Sequence, residues 1–117
     1  MSTSVLIVDD HAEFRESATA LLESQGFTVV GVAARGAAAL DAAVRLRPDV
    51  VLLDVQLPDM DGFAVADRLA ALAEPPVVVL VSGRDASSYG TRVAQASASG
   101  FIAKRELSGA ALAAVIG

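Results

Sequence analysis

The sequence predicts a doubly wound α/β domain, in which helices cover both faces of a parallel five-stranded sheet. Short runs of aliphatic residues alternate with longer Ala- and Leu-rich stretches along the whole chain. The short runs are continuously apolar, as in strands that are buried on both faces. The chain has 117 residues, of which 54% are hydrophobic, and this is the usual size of one domain with its own core. We therefore expect residues 1–117 to form a single domain.

Five apolar runs are predicted to be the strands. In chain order they are Val5–Val8, Phe27–Val32, Val50–Leu53, Val77–Val81 and Gly100–Ala103. The stretches between them, and the stretch after the last one, carry apolar residues at helical spacing. The predicted helices are a first one from about Phe14 to Gly26, then Gly36–Leu46, Phe63–Leu72, about 86–98, and Leu107–Ile116.

The first two helices have recognisable boundaries. Asp10 and Glu13 are placed to cap the start of the first helix, and Gly26 ends it. The second helix presents Leu40, Ala43 and Val44 on one face, and Pro48 stops it.

The remaining helices differ in strength. The third faces inward through Val65, Leu69 and Leu72. The fourth is the weakest, because Gly90 and several serines dilute the pattern, and we interpret Tyr89 as a half-buried packing residue. An alternation of this kind and size predicts a flavodoxin-like (βα)5 fold with strand order 2-1-3-4-5.

Composition excludes several classes of function. Without cysteine the chain has neither disulfides nor thiolate metal sites. A net charge of −5 and no basic patch make it a poor nucleic-acid binder. No apolar run approaches the ~20 residues that a bilayer requires, and the N-terminus lacks the features of a signal peptide. We expect a cytoplasmic protein without membrane contact.

Polar residues follow four of the five predicted strands. Asp9 and Asp10 follow the first strand, Asp54 ends the third, Ser82 follows the fourth and Lys104 follows the fifth. Ligands of open parallel sheets bind outside these carboxyl ends, so we expect the five side chains to converge. Alone, the acid pair would more often be a helix cap and the others ordinary loop residues, but four coincidences at four strand ends favour one site.

The charges predict the chemistry of this site. Three close carboxylates repel one another unless a cation compensates them, and an all-oxygen site suits Mg²⁺. With Mg²⁺ and Lys104 the site is near neutral and accepts a phosphoryl group. Asp54 is the best nucleophile, because it ends a central strand, and it would form an acyl phosphate.

Four segments resemble the signatures of response-regulator receiver domains of two-component systems. They are Val-Asp-Asp-His at 8–11, Leu-Leu-Asp-Val-Gln-Leu-Pro-Asp-Met-Asp-Gly at 52–62, Val-Ser-Gly at 81–83 and Gly-Phe-Ile-Ala-Lys at 100–104. The resemblance implies that Asp54 is the phosphorylated residue and that Asp9, Asp10, Asp54 and the main-chain carbonyl of Gln56 form a Mg²⁺ site. It also implies that Ser82 and Lys104 are partners of the phosphoryl group. The implied switch residues are Ser82 and Phe101.

The resemblance also implies partners. A sensor histidine kinase would be the phosphodonor, and the surface from the fourth helix through the fifth strand to the fifth helix would change its preference for a partner or a second copy. The chain would be a phosphoacceptor and not an enzyme. DNA would be contacted only through an output domain absent from this chain. Residues 100–107 resemble LuxR-type regulators, which carry a helix-turn-helix output domain.

Two positions depart from the family pattern. Arg105 stands where Pro often follows the lysine, so a cis peptide bond is not expected there. Phe101 stands where Tyr is common, so the aromatic switch cannot use a phenolic hydrogen bond. We assign no chemistry to His11, and Arg84 and the Gln56 side chain are either modulators of phosphate lifetime or ordinary loop residues.

Three alternatives stay open. An Asp-nucleophile phosphohydrolase usually has its two acids two residues apart, whereas Asp9 and Asp10 are adjacent. A flavodoxin-like mononucleotide binder would have Ser, Thr or Gly donors after the first strand. A degenerate receiver that serves only for docking would lack some of the five site residues.

Overall fold

The computed structural model describes residues 2–117, and in this part of the chain five parallel strands form one sheet in the order β2-β1-β3-β4-β5. The strands are β1 Ser4–Val8, β2 Thr28–Ala33, β3 Val50–Asp54, β4 Val77–Ser82 and β5 Gly100–Ala103. The helices are α1 Ala12–Ser24, α2 Gly36–Leu46, α3 Gly62–Ala70, α4 Arg92–Gln95 and α5 Gly109–Ile116, with 3₁₀ turns at Ala86–Tyr89 and Lys104–Glu106. The predicted fold class and strand order are confirmed.

Helices cover both faces of the sheet. On one face, side chains such as Leu6, Leu53 and Leu80 pack with residues of α2 and α3. On the other, the alternate side chains, among them Ile7 and Leu52, pack with residues of α1 and α5. Because successive side chains of a strand point to opposite faces, a strand that serves both cores is apolar throughout. This explains the unbroken runs of β1, β3 and β4.

The register aligns the carboxyl ends of the strands. Val8 of β1 lies beside Leu53 of β3, and Asp54 lies beside Val81 of β4. Ser82 in turn lies beside Ala103 of β5. The residues at these positions, and those that follow them, therefore emerge at one edge of the sheet.

Two predicted features of the first two helices are wrong. The cap position of α1 is His11, which makes no side-chain capping bond, and neither Asp10 nor Glu13 caps the helix. Of the inner face predicted for α2, Ala43 is buried and Leu40 packs against the core, but Val44 is 60% exposed and the other buried side chains of the helix are alanines. Small side chains let the helix approach the sheet closely, and the larger apolar residue is left at the margin of the contact.

The fourth helix is broken rather than merely weak. A 3₁₀ turn ends at Tyr89, Gly90 adopts φ +59°, and α4 is a single turn from Arg92. A positive φ is readily adopted only by glycine, so the helix cannot run through this position. The prediction of a continuous helix over 86–98 is therefore wrong.

Among residues 2–117, no helix combines the length and the apolar composition needed to span a bilayer.

Candidate functional site

The carboxyl edge of the sheet carries a cleft of about 470 Å³. Its lining residues come from the ends of β1, β3, β4 and β5 and from the loops that follow them. They are Asp10, His11, Asp54, Gln56, Leu57, Pro58, Ser82, Gly83, Arg84 and Lys104. Of the side chains predicted to converge, Asp10, Asp54, Ser82 and Lys104 share this cleft.

Asp9 is completely buried next to the cleft residue Lys104. Its amide donates to the Ala33 carbonyl at 2.9 Å, which extends the pairing of β1 with β2 by one residue. Its Oδ1 accepts the His11 amide at 2.8 Å, and its carbonyl accepts Arg15 Nη1 at 2.8 Å. These bonds fix the carboxylate without using its second oxygen.

Lys104 connects the two buried acids. Its Nζ lies 2.5 Å from Asp9 Oδ2 and 3.6 Å from Asp54 Oδ2. The same ammonium lies 4.5 Å from the centre of the Phe14 ring, a favourable cation–π distance. The side chain is 19% exposed, so its charge is poorly screened by water. The predicted approach of the lysine to the acid cluster is observed.

Asp54 lies at the end of a strand that is buried along its whole length. Burial raises the pKa of its carboxyl to about 6, and the negative charge of Asp9 adds to this increase. Lys104 and the Gln56 amide, which donates to Asp54 Oδ1 at 3.3 Å, oppose the rise. Desolvation of the charged form is therefore the dominant effect, and a cationic ligand would relieve it.

The acid cluster fits a hard divalent cation. Asp9 Oδ2 is buried, and its partner is the Lys104 ammonium at 2.5 Å. Asp9, Asp10, His11 and Asp54 each offer one ligand atom, and these atoms all lie within 4.8 Å of one another. Carboxylate oxygens are the ligands that Mg²⁺ prefers.

Ser82 is buried at the end of β4 and is already engaged. Its Oγ lies 2.5 Å from the hydroxyl of Tyr89 and accepts the Arg84 amide at 3.1 Å. Phe101 of β5 is half-buried, with its ring centre 6.1 Å from that of Tyr89. The two predicted switch positions are thus linked through Tyr89.

Two residues of this region were not predicted from the sequence to belong to it. His11 Nδ1 lies 2.9 Å from Asp9 Oδ1 and 3.2 Å from Asp10 Oδ1, and its place next to the acid pair was the only signal. Tyr89 follows Ser82 by seven residues, and only the turn between them returns its hydroxyl to the strand end. No periodicity would reveal that contact.

The fold and this edge together define the class of two-component response regulators. The chain belongs to the response regulator receiver domain family, whose model matches residues 5–116. The resemblance found in the four sequence segments is confirmed.

Individual proteins agree with this assignment. The chain is 36% identical over 106 residues to BvgA of Bordetella pertussis, which is named as a positive transcription regulator of virulence factors. The match covers 91% of this chain and 51% of that protein. It is 36% identical to the signal receiver domain of the response regulator NarL from Mycobacterium tuberculosis, with a TM-score of 0.86, covering 99% and 98% of the two chains.

A LuxR-family response regulator from an Aurantimonas species has 25% identity and a TM-score of 0.88, with 99% of this chain and 86% of that chain covered. The predicted resemblance to LuxR-type regulators is therefore confirmed. The chain spans about half the length of the curated relatives it matches.

Proposed function

We propose that the chain is a phosphoacceptor switch in which Asp54 receives a phosphoryl group from a sensor histidine kinase. The observation that carries the proposal is the approach of Lys104 Nζ to Asp54 Oδ2, at 3.6 Å, in an acidic cleft open to solvent. A buried carboxylate beside an ammonium is a nucleophile whose product, a charged acyl phosphate, has a counter-ion in place.

The metal in this proposal is Mg²⁺. The side chains of Asp9, Asp10 and Asp54 and the main-chain carbonyl of Gln56 would hold it. When bound, Mg²⁺ supplies positive charge that stabilises the oxygens of a transferring phosphoryl group. The raised pKa of Asp54 and the cluster of ligand atoms from Asp9, Asp10, His11 and Asp54, all within 4.8 Å of one another, support this choice.

The transfer itself uses residues of the chain. An Asp54 carboxylate oxygen forms a bond to phosphorus as the bond between phosphorus and the donor's imidazole nitrogen breaks, and the imidazole keeps that electron pair. Lys104 remains paired with the negative charge at Asp54 throughout. Ser82 would donate its hydroxyl to a phosphoryl oxygen. The chain would promote only its own phosphorylation and dephosphorylation, so it would not be an enzyme acting on other substrates.

The response would travel to the surface formed by α4, β5 and α5. Phosphorylation adds about −1.5 to −2 charges at one point. The segment 86–95 next to Ser82 consists of two separate four-residue helical turns, so we expect its local stability to be low. Phe101 would repack as Ser82 moves. The surface would then favour a second copy or an output domain.

We further propose that residues 1–117 act as the receiver unit of a transcription regulator in the cytoplasm, with DNA contacted only by another domain. The relatives named as transcription regulators, which are about twice as long as the match, support this.

Intact-mass measurement after incubation with acetyl phosphate tests the proposal. The wild type is expected to gain one phosphoryl group with Mg²⁺ and none with chelator, and Asp54→Asn to gain none. Asp59→Asn is the matched control, because Asp59 is an exposed acid of the adjacent loop, and it should be phosphorylated normally. An adduct that persists in Asp54→Asn would overturn the proposal.

A further inference from the structure

Tyr89 occupies a position that the proposed phosphoacceptor chemistry leaves unexplained. Its ring packs near two other aromatic rings, with its centre 5.9 Å from that of Phe63 and 6.1 Å from that of Phe101. Its hydroxyl lies 2.5 Å from Ser82 Oγ. The ring thus packs against the core while the hydroxyl reaches the edge of the sheet where Asp54 lies.

The contact restrains the hydroxyl of Ser82. The Oγ atom accepts the Arg84 amide at 3.1 Å and is paired with the Tyr89 phenol on another side. Ser82 is almost completely buried, at 4% exposure, so the side chain has few other orientations. A hydroxyl has one proton to donate. When Ser82 donates it to the Tyr89 phenol, a phosphoryl group on Asp54 would compete with the phenol for that proton, whereas the Arg84 amide only donates to Oγ.

We propose that Tyr89 is a positioning residue. It holds Ser82 in the orientation that the serine has before Asp54 is phosphorylated, and it releases Ser82 when Asp54 is phosphorylated. The inference rests on the proposed function of Asp54. A hydrogen bond to a charged phosphoryl oxygen is about twice as strong as one between neutral groups, so the phosphoryl group wins the competition. The phenol then loses its partner.

The release of Tyr89 would reach the protein surface directly. Tyr89 is the last residue of the 3₁₀ turn, and Gly90 with its positive φ separates it from α4. Arg92 of α4 lies 4.3 Å from the centre of the Phe63 ring and 2.6 Å from Asp61.

Tyr89 and Arg92 also border a cavity of about 340 Å³ between α4 and the loop after β3. The ring therefore has open space beside it. A shift of Tyr89 would act on α4 through Phe63, because the Phe63 ring contacts both Tyr89 and Arg92 of α4.

The composition of the chain provides a selective probe. Tyr89 is the one tyrosine in the sequence, and there is no tryptophan, so tyrosine fluorescence reports on this side chain alone. We expect emission to change when the wild type is phosphorylated by acetyl phosphate with Mg²⁺. Unphosphorylated Ser82→Ala should already differ from the unphosphorylated wild type, and its emission should respond little to phosphorylation.

Equilibrium binding gives the second test. Beryllofluoride with Mg²⁺ serves as a stand-in for the phosphoryl group, and its affinity is measured in the wild type, Tyr89→Phe, Ser82→Ala and the double variant. Tyr89→Phe keeps the ring and removes only the hydroxyl. We expect it to bind beryllofluoride about 2- to 10-fold more tightly, the range that follows from losing one ordinary hydrogen bond in the unbound state. In the Ser82→Ala background the same change should have no effect.

The outcomes separate this inference from the proposed function. If mass measurement shows the Asp54 adduct but wild-type fluorescence does not change, the role of Tyr89 is refuted and the phosphoacceptor function stands. Unchanged or weaker beryllofluoride binding by Tyr89→Phe refutes it as well. If no adduct forms on Asp54, the proposed function fails, and this inference fails with it.

Discussion

Lys104 Nζ lies 2.5 Å from Oδ2 of Asp9, a residue that is completely buried. Lys104 therefore neutralises a carboxylate that water cannot reach. The same ammonium lies 3.6 Å from Asp54, so one side chain offsets the charge of two acids. The stability of the domain and the chemistry of its cleft depend on the same residue.

Removing this ammonium should destabilise the metal-free protein. Lys104→Met leaves two buried carboxylates without a counter-ion, and breaking a buried ion pair in this way costs about 3 kcal/mol. Urea unfolding in the presence of chelator measures the loss. Arg105→Met is the control, because the Arg105–Asp85 pair is exposed and should contribute little. Equal stability of the two variants would contradict the structure.

The raised pKa of Asp54 makes stability depend on pH. Because the folded pKa is about 6 and the ordinary value is 3.8, the native state binds more protons than the unfolded state between these values. Metal-free stability should therefore fall as pH rises from 4 to 7, by about 2–3 kcal/mol at one pKa unit per 1.36 kcal/mol. Asp54→Asn should remove most of this decrease. Parallel pH profiles for wild type and variant would argue against it.

Asp59 should have the opposite pH dependence. Its carboxylate accepts the amides of Gly36 at 2.8 Å and Ala37 at 3.1 Å, at the start of α2, and these bonds lower its pKa. Its contribution is fully present above the ordinary pKa and is lost as pH falls through the lower folded value. We expect Asp59→Ala to lower the Tm at pH 7 and to have a smaller effect near pH 3.

Asp41→Ala is the control for that measurement. Asp41 lies on α2, the helix whose first amides donate to Asp59. Its exposed carboxylate is 3.7 Å from Arg45, so its removal should leave the Tm almost unchanged. The assignment fails if Asp59→Ala matches Asp41→Ala at both pH values.

Gly62 allows the loop after β3 to approach the end of the strand closely. A Cβ atom there would lie 2.3 Å from the Asp54 carbonyl oxygen and 2.7 Å from Val55 Cα. Both are backbone atoms, so the loop must shift, and Gly62→Ala should cost about 1–3 kcal/mol. Gly83→Ala, where nothing lies within 4 Å, should be close to neutral. Thermal unfolding of both variants makes the comparison.

The parts of the fold that were predictable from the sequence are those set by burial. The runs of β1, β3 and β4 are apolar because two cores contact them, and this fixes both their identity as strands and their central place. The convergence of the acids, the Ser82 hydroxyl and Lys104 at one edge follows from the register of the parallel strands. Alignment of Asp54 with Val81 and of Ser82 with Ala103 is a consequence of that pairing.

What the sequence did not reveal depends on packing distance and on single torsions. Val44 was assigned to the inner face of α2 by its helical spacing, whereas mainly alanines make the contact. The cap residue of the first helix is His11, whose amide donates to the buried Asp9 carboxylate, and Asp10 does not cap the helix. The contact of Tyr89 with Ser82 needs the particular turn before Gly90, which no local pattern encodes.

Chemical mapping of the phosphorylated residue tests the central claim most directly. Borohydride reduces an acyl phosphate to an alcohol, so an aspartyl phosphate becomes homoserine, which peptide mass spectrometry locates. After treatment with acetyl phosphate and Mg²⁺, we expect homoserine at position 54 in the wild type and at no position in the chelated sample. Homoserine at position 9 or 10 would contradict the assignment of Asp54 as the phosphoacceptor. A phosphorylated serine or histidine in a sample without any homoserine would contradict it as well.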